Sequence, residues 1–326
     1  MKLDRFLFIC CMALIPALAN AEPSWPSKPI RILVTYAPGG GSDTILRALA
    51  QELNPMLGTS VLVENRPGAG GTIAIAEVAR SAPDGYTLLF ATNTNLSISP
   101  YYFESLKFSD AQAMAPIGQV AQAAMVLAVR SGLPVHSAQE LVSLMKREPR
   151  KLNIGTFGLG SLPDLIARQF MRETSTEALE IPYKGTAPMT AALLSGEIDM
   201  VFDAQTQLVP YARAGKVRLL AVAAAKRLSS LPDVPTLAEA GVPGATAEFW
   251  NAILAPAGTP AEITNRLNAL LNKALAQPKV VSLINSLGMA EVGGTPEALA
   301  KAIQVEHIKW KSIIEDGPRK PSERSN

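Results

Sequence analysis

IRILVTYAPGGGSDTILRALAQELNPMLG, residues 30–58, combines the patterns of a strand, a glycine-rich turn and a helix. The residues Ile30–Tyr36 are mostly apolar or β-branched, which is typical of a buried strand. After the turn, apolar residues recur at the spacing of one helix face, at Ile45, Leu46, Leu49, Leu53 and Leu57. Gly58 then provides a residue that commonly ends a helix. The stretch therefore predicts a strand followed directly by a helix, the unit from which parallel sheets are built.

Three further glycine-rich turns have the same setting, although their sequences differ. They read RPGAGGTI at 66–73, TFGLGSLPD at 156–164 and YKGTAPMT at 183–190, each after an apolar or β-branched run and before a helical pattern. A turn of this kind directs free backbone N–H groups and the positive end of a helix dipole at one point. Such a point favours an anion, so the repeated turns predict that the protein binds an acid.

Strand and helix patterns alternate along most of the chain. Strands are predicted at 61–63, 87–91, 125–129, 152–156, 198–202 and 217–223, and helices at 137–147, 162–172 and 187–194. From residue 259 onward the pattern predicts three helices with no strand between them, at 260–276, 278–287 and 296–316. Ser137 with Glu140 has the form of a capping box. Thr259 with Glu262 has the same form. The alternation predicts an α/β fold with doubly wound parallel sheets, and the length favours two domains.

The first 21 residues have the pattern of a secretory signal peptide. Lys2 and Arg5 form a basic start before the apolar residues 6–19. Ala19 and Ala21 then give a small-residue cleavage site. The alternative interpretation is a membrane anchor, for which the apolar run is short. Both cysteines lie in this segment, so the mature chain has neither thiol nor disulfide, which favours the bacterial periplasm.

Charge and composition exclude several classes of function. Two of the 30 basic and one of the 28 acidic residues lie in the leader, which leaves a net charge of about +1 and argues against nucleic-acid binding. The histidines His136 and His307 accompany no GxSxG, CxxC or HExxH motif. The phosphate-binding GxxxxGK[ST] motif is absent, and Gly68 and Gly70 match only half of a dinucleotide fingerprint. We therefore expect no enzyme activity, no cofactor and no metal.

A carboxylate fits the glycine-rich turns better than a nucleotide does. Backbone N–H groups and hydroxyls can satisfy a carboxylate without a lysine. The residues with this chemistry are Gly39, Gly40, Gly41 and Ser42 in the first turn and Gly158, Gly160 and Ser161 in a later one. The alternative is that both turns are only tight connections between strands and helices, where glycine and capping residues are common.

Several longer phrases of the sequence are similar to those of one known family. They are WPSKPIRILVTYAPGGGSD at 25–43, VENRPGAGGTIA at 63–74, APDGYTLL at 82–89, PYKGTAP at 182–188, LPDVPTLAEAG at 231–241 and APAGTP at 255–260. By these phrases the chain resembles the Bug-type periplasmic receptors, the solute-binding proteins of tripartite tricarboxylate transporters. The resemblance covers residues 25–310, almost the whole mature chain.

The resemblance implies a two-lobe clamshell of the periplasmic-binding-protein type (type II-like), in which crossing strands join two doubly wound α/β lobes. Lobe 1 would comprise residues 22–126 and 250–315, and lobe 2 residues 127–249. Residues 1–21 would be the signal peptide, and the polar end, 316–326, a disordered tail. The ligand would lie in the cleft, and family ligands are small carboxylates: di- and tricarboxylic acids, amino acids and aromatic acids.

The resemblance also implies which residues contact the ligand. In lobe 1 they are Tyr36, the loop residues Pro38, Gly39, Gly40, Gly41, Ser42 and Asp43, and the residues Thr92, Asn93 and Asn95 near a strand end. In lobe 2 they are Thr156, Phe157, Gly158, Gly160 and Ser161, with Tyr183 and Lys184 at the border. Backbone N–H groups, hydroxyls and ordered waters would hold one ligand carboxylate.

Three residues concern which acid is bound. Asp203 ends a predicted strand, so it either receives a ligand ammonium or hydroxyl group or caps the next helix. An ionised Asp203 would penalise a second ligand carboxylate. Asp164 stands where the family pattern has a histidine, three residues after Ser161, and makes ordinary dicarboxylates less favoured. Phe157 adds apolar surface, which suggests an aromatic acid.

The function expected from these points is delivery of an organic acid by a monomeric periplasmic protein to integral membrane transporter subunits. The transporter partner is implied by the resemblance alone. An alternative is a periplasmic sensor that presents its ligand-bound form to a signalling protein.

Overall fold

The computed structural model describes residues 25–102, 114–228 and 230–315. The predicted signal peptide, 1–21, and the predicted tail, 316–326, lie outside the described residues. None of the helices within the described ranges is both long and apolar enough to traverse a membrane.

Ten strands and nine α-helices are assigned within these ranges. The strands are β1 (Ile30–Val34), β2 (Val61–Asn65), β3 (Thr87–Thr92), β4 (Ala115–Arg130), β5 (Asn153–Thr156), β6 (Leu179–Pro182), β7 (Met200–Ala204), β8 (Val217–Val222), β9 (Glu248–Ala255) and β10 (Ala290–Gly293). The helices are α1 (Gly41–Leu57), α2 (Thr72–Ala79), α3 (Ala138–Arg147), α4 (Leu162–Thr174), α5 (Thr186–Ser195), α6 (Gln205–Arg213), α7 (Ala261–Leu275), α8 (Pro278–Ser286) and α9 (Pro296–Glu315). A short π-helical turn, Thr94–Ile98, follows β3.

The first lobe is built on a mixed sheet. Its strand β1 lies between β2 and β3 in parallel register, so that Ile32 pairs with both Val63 and Leu88. Strand β9 runs antiparallel to β3, β4 runs antiparallel to β9, and β10 runs antiparallel to β4. Strand β4 therefore has the same direction as β1 and β3.

Strand β4 continues from the first sheet into the second. Residues 115–124 pair with β9, whereas residues 125–130 pair with β7 and β8. Strands β7, β5 and β6 are parallel to one another and complete the second sheet. A second crossing segment returns to lobe 1, where the Ala247 N–H donates to Ala223 O just before β9. The two sheets and their crossing segments confirm the predicted two-lobe α/β fold.

Helices cover both faces of each sheet. In lobe 1, Ile32 belongs to a buried cluster with residues of α1, α7 and α8, while its neighbour Leu33 packs with α2 and α9. In lobe 2, Phe202 packs with α3 and α4, while its neighbour Val201 packs with α5 and α6. Successive strand residues point to opposite faces, so strands covered on both sides are apolar at nearly every position.

The last helix, α9, contributes to the cores of both lobes. Leu299 in its first turns is buried against β1, β3 and α2 of lobe 1. Trp310, near its other end, is fully buried in the cluster that contains Leu165 and Phe170 of α4. One helix therefore spans the junction between the lobes.

Three local predictions were wrong. Strand β10 lies between α8 and α9, where no strand was predicted, because this four-residue segment is mostly exposed and gains its pairing only from β4. Strand β4 begins ten residues before the predicted strand, since its alanine- and glutamine-rich first part is stabilised by β9 and β10. Thr259 does not cap α7; its hydroxyl donates to Pro256 O.

Candidate functional site

The carboxyl ends of the parallel strands of both lobes meet where β4 crosses. Strand β4 runs parallel to β3, so it leaves lobe 1 at the carboxyl end of β3. It runs antiparallel to β7, so it enters lobe 2 at the carboxyl end of β7. Met125, the first β4 residue that pairs with the second sheet, lies opposite Ala204, the last residue of β7. Ligands of open α/β sheets bind outside the carboxyl ends of the strands. The sequence-predicted site residues all lie at these strand ends, in the turns that follow them or in the first turn of the next helix.

The first glycine-rich turn is held by Asp43. Gly39 has the left-handed backbone conformation, φ 86°, and its N–H donates to Asp43 Oδ2 at 2.9 Å. Arg47 Nε lies 3.0 Å from the same oxygen, and Asn65 Nδ2 donates to Oδ1 at 2.9 Å. Burial raises the pKa of Asp43, but the hydrogen bonds from Arg47, Gly39 and Asn65 outweigh it and lower the pKa to about 2. Asp43 is thus a charged anchor beneath the turn, and its oxygens are engaged within lobe 1.

Above this anchor, the start of helix α1 is open. Its N-cap residue, Gly40, provides no side-chain oxygen to the first turn of the helix. A Cβ atom added at Gly41 would meet nothing within 4 Å, and one at Gly40 would meet only Ala37 O at 3.9 Å. Packing within the protein therefore does not require glycine at these two positions. The exposed N–H groups of a 17-residue helix, with free space above them, are suited to bind an anion.

Asn95 braces the end of β3 from inside. Its Oδ1 accepts hydrogen bonds from Thr35 Oγ1 at 2.8 Å and from Thr92 Oγ1 at 2.9 Å, and its Nδ2 donates to Gly70 O at 2.8 Å. Gly71 allows this approach, because a Cβ atom there would lie 2.6 Å from Asn95 Nδ2. The buried Asn95 therefore ties three turns of lobe 1 together.

Two neighbouring residues complete this end of the cleft. Asn93 is fully buried, and its Nδ2 donates to Glu248 O at 2.8 Å on the crossing strand β9. Tyr36 is 36% exposed, with its hydroxyl 3.0 Å from Thr92 Oγ1. Of these residues, Tyr36 presents the largest surface toward solvent, while the Asn93 amide binds the crossing strand β9.

The turn after β5 repeats the anchor of the first turn with the same spacing. Gly160, φ 79°, donates its N–H to Asp164 Oδ2 at 2.7 Å, and Arg168 Nε lies 2.6 Å from Asp164 Oδ1. In both lobes a glycine, an acid four residues later and an arginine four residues after that form one unit. Asp164 is fully buried, which raises its pKa to about 7, with Glu180 nearby adding to the increase and Arg168 opposing it.

The turn after β5 differs from the first turn because its polar groups are hydrogen-bonded within the protein. Ser161 Oγ accepts the N–H of Asp164 at 3.3 Å and so caps α4, and Pro163 in the first helical turn has no N–H. The Thr156 hydroxyl donates to Glu180 Oε1 at 2.8 Å and accepts the N–H of Gly158 at 3.0 Å. This turn therefore leaves fewer donors for an anion than the first turn does.

Asp203 has an incomplete set of partners. It is 3% exposed at the end of β7, and its Oδ1 accepts the N–H of Ala204 at 2.8 Å. Its Oδ2 is buried without a hydrogen-bond partner. Burial raises the pKa of Asp203 to about 6, with the Ala204 N–H and the Thr186 hydroxyl opposing the increase. Buried polar atoms normally have partners, so this oxygen indicates a site for a donor.

The remaining predicted residues border lobe 2. Phe157 is half-buried and packs on the same cluster as Tyr183. The Tyr183 hydroxyl donates to Glu197 Oε1 at 2.7 Å, and its pKa is raised to about 12 by burial and by Glu197. Lys184 is exposed. In the described ranges, no group of three or more histidine, cysteine or acidic side chains converges as a metal site would require.

The structure thus divides the predicted site residues by orientation. Exposed or half-buried in the turns are Tyr36, Pro38, Gly39, Gly40, Gly41, Ser42, Phe157, Gly158, Gly160, Ser161, Tyr183 and Lys184. Buried and hydrogen-bonded within one lobe are Asp43, Thr92, Asn93, Asn95, Thr156 and Asp164. Among these predicted residues, two have a buried oxygen without a hydrogen-bond partner: Asp164, whose Oδ1 lies beside Arg168, and Asp203, whose Oδ2 has no such cation. Contact of any of them with a ligand stays a prediction.

Sequence reasoning missed the residues that support the turns. Arg47 and Arg168 pair with Asp43 and Asp164, and their four-residue spacing on a helix was the available signal. Tyr102 was also missed: its ring lies so close to Gly160 that an added Cβ atom would be 2.7 Å from it. Tyr102 follows β3 in the chain, and no local pattern shows that it reaches the second lobe.

Comparison with known proteins identifies similar chains. The model of the tripartite tricarboxylate transporter family receptor, TctC, matches residues 45–317. BugT of Bordetella pertussis is 32% identical over 303 residues, which cover 93% of this chain and 93% of BugT. The resemblance to Bug-type receptors is therefore confirmed.

Two solved structures are similar over nearly their full lengths. An R. palustris protein solved with adipate is 32% identical with a TM-score of 0.73, covering 89% of this chain and 97% of its own. MatC from Rhodopseudomonas palustris, solved with bound malate, is 31% identical with a TM-score of 0.71, covering 88% and 99%. Both are carboxylate-bound proteins with the same fold.

Proposed function

The chain belongs to the receptor family of tripartite tricarboxylate transporters, and we propose that it captures a small organic acid in the periplasm and delivers it to a membrane transporter of that type. The family is one of solute-binding receptors, so the protein holds its ligand and releases it unchanged. The cleft between the lobes is the proposed binding site.

The observation that carries this proposal is the open start of α1. Gly40 and Gly41 have free space above them, and the first turn of the helix has no side-chain cap. The charge of Asp43 beneath the turn is offset by Arg47 and by the Asn65 amide. A ligand carboxylate placed over Gly40 and Gly41 would accept backbone N–H groups and meet the positive end of the helix dipole.

Binding is proposed to bring the lobes together. The crossing segments meet near Met125 and Ala247, where the sheets change, so these positions would serve as the hinge. A ligand that contacts both lobes shifts the equilibrium toward the closed form by its differential affinity for that form.

A thermal-shift screen of residues 22–326 tests the proposal, with the protein refolded once to remove any carried-over ligand. The panel contains dicarboxylates, tricarboxylates, amino acids and aromatic acids. A ligand at about 100 times its Kd adds about 2.7 kcal/mol, which raises the Tm by several degrees at this size. Adipate and malate are the first choices, because similar proteins were solved with them.

Two further measurements separate binding from delivery. Small-angle scattering with a confirmed ligand should show a smaller radius of gyration, and an unchanged radius would contradict closure. Deletion of the gene should abolish uptake of the same acid. Absence of a thermal shift with every acid of the panel would contradict the proposed function itself.

A further inference from the structure

We infer that the ligand carries one carboxylate and, at its other end, a hydrogen-bond donor that Asp203 selects, so that a second carboxylate is discriminated against. The donor is a hydroxyl, an amide or an ammonium group. This inference rests on the proposed function, since it assigns the class of acid bound in the same cleft.

The first step is the state of the Asp203 carboxyl group. Its side chain is 3% exposed, and its Oδ2 has no hydrogen-bond partner, while Oδ1 is engaged by the Ala204 N–H. A buried acceptor without a donor lowers stability, so its presence needs an explanation. A donor that arrives with the ligand supplies one.

The second step is that Oδ2 has no well-formed hydrogen bond within the protein, although the Thr186 hydroxyl at the start of α5 lies near enough to lower the pKa of Asp203. Helix α6 begins directly after it, but the N-cap residue is Ala204 and no side chain caps that helix. The other buried acid of this strand region, Asp199, is fully used, by Arg130 Nε at 2.7 Å and by the Asn153 N–H at 2.8 Å. The contrast between the two acids favours a ligand-directed role for Asp203.

The third step is where Asp203 lies. It pairs with Val126 on β4, one residue past the crossing into lobe 2, at the carboxyl end of β7. The open start of α1 follows the carboxyl end of β1 in lobe 1, and the carboxyl ends of the parallel strands of both lobes meet where β4 crosses. A ligand between the lobes therefore meets an anion site at one end and an acid at the other.

The fourth step is the rest of the lobe 2 surface. The turn after β5 has its Gly158 and Gly160 N–H groups and its Ser161 hydroxyl engaged within the protein. The arginine that follows that turn, Arg168, is paired with Asp164. The turn after β5 therefore leaves few donors for a second carboxylate, and Asp203 at the end of the neighbouring strand β7 opposes one.

Matched ligands that differ only at the far end test the inference. Isothermal titration calorimetry at pH 7.5 compares succinate with succinamate and 4-aminobutyrate, and adipate with adipamate and 6-aminohexanoate. In the wild type, we expect the amide or ammonium acid of at least one length to bind about tenfold or more tighter than the matching diacid.

The variant Asp203→Asn should reverse this order, because its amide donates to a carboxylate and no longer repels one. We expect affinity for the diacid to rise about tenfold and affinity for the ammonium acid to fall by at least as much. Asp199→Asn is the matched control, since it removes a buried acid of the same lobe outside the cleft, and should leave the order unchanged.

The outcomes separate this inference from the proposed function. Diacids that bind the wild type as tightly as their half-amides, with Asp203→Asn leaving the order unchanged, would overturn the inference and leave the receptor function standing. Failure of every acid in both series to bind the wild type would overturn the inference, whereas the proposed function falls only if the whole thermal-shift panel fails as well. Should Asp203→Asn not fold, as judged by circular dichroism, the order measured in the wild type decides alone.

Discussion

Thr206 occupies the space directly over Gly288, so that a Cβ atom added at Gly288 would overlap the Thr206 methyl carbon. Gly288 lies just before β10 in lobe 1, and Thr206 lies in the first turn of α6 in lobe 2. Beside them, Gln205 Nε2 donates to Gly288 O at 3.4 Å. The pair forms a close contact between facing edges of the two lobes, and the absence of a side chain at Gly288 sets how near these edges come.

Replacement of Gly288 by alanine should weaken the binding of every acid by about tenfold without changing their order, because the methyl group holds the lobes apart. Gly288 has φ 70°, so alanine also adds backbone strain of about 1 kcal/mol. Gly294→Ala is the matched control, since Gly294 has φ 95° but nothing within 4 Å of an added Cβ atom. Titration calorimetry on both variants measures the difference. Equal affinities would show that the contact does not limit closure.

A Gly40→Ser variant should stabilise the protein and weaken its ligand binding. Gly40 has φ −76° and ψ 168°, which serine adopts readily, and a serine hydroxyl at the N-cap would accept an N–H of the first turn of α1. The free energy of unfolding should rise by a few tenths of a kcal/mol, while the Kd rises about tenfold because the hydroxyl competes with the carboxylate. Urea unfolding and calorimetry give the two values.

Gln277→Ser is the control for that variant. Gln277 is the N-cap residue of α8, also without a side-chain cap, and it lies at the opposite end of α8 from Gly288, the residue that contacts Thr206. We expect a similar gain in stability with unchanged affinity. Loss of affinity in both variants would mean that capping alone, rather than occupation of the carboxylate position, causes the effect.

Asp43 should contribute stability that is lost in acid. Its folded pKa of about 2 lies below the ordinary value of 3.8, so its contribution is present above pH 4 and disappears as the pH falls through 2. The shift corresponds to about 2 kcal/mol at neutral pH. Asp43→Asn should therefore unfold more easily than the wild type at pH 6 but equally at pH 2, as measured by chemical unfolding. An equal difference between the two proteins at pH 6 and at pH 2 would contradict this role of Asp43.

Asp164 should have the opposite pH dependence, although it holds the equivalent position in lobe 2. Its folded pKa of about 7 lies above the ordinary value of 3.8, so the stability that it contributes is complete below pH 4 and is lost as the pH rises through 7. Asp164→Asn keeps an acceptor for the Gly160 N–H and has no charge to bury. The stability advantage of the wild type over this variant should shrink between pH 4 and pH 8. Parallel curves for the two proteins would contradict the assignment.

The sequence predicts the strand-turn-helix units of this fold well, because their patterns are local. Strand β1 and helix α1 follow from apolar spacing within residues 30–58. The Ser137 cap is confirmed by the Glu140 N–H, which donates to Ser137 Oγ at 3.1 Å, while the Glu140 carboxylate accepts the N–H of His136 instead of that of Ser137. Strand β10 and the first half of β4 escape prediction, since neighbouring strands rather than composition stabilise them. The sequence of one strand does not show which strands will lie beside it.

The sequence predicts where the candidate site residues lie in the fold but not which groups their side chains contact. Asn95 was expected at the ligand, yet its amide joins Thr35 and Gly70, residues that are distant in the sequence. Asp43 and Asp164 were expected at the surface of the cleft, and both turn inward to a glycine N–H four residues earlier. That bond depends on the left-handed conformation of each glycine, which the residue type permits but does not dictate.

The path of helix α9 has a consequence for how the chain is delivered and folded. Trp310 fills the core of the second lobe, although most of that lobe comes from residues more than 60 positions earlier in the chain. A chain emerging amino-terminus first, whether from a ribosome or through a membrane pore, cannot complete this core until almost all of it has passed. The second lobe therefore cannot fold completely until the last helix has emerged and Trp310 has entered the core of that lobe.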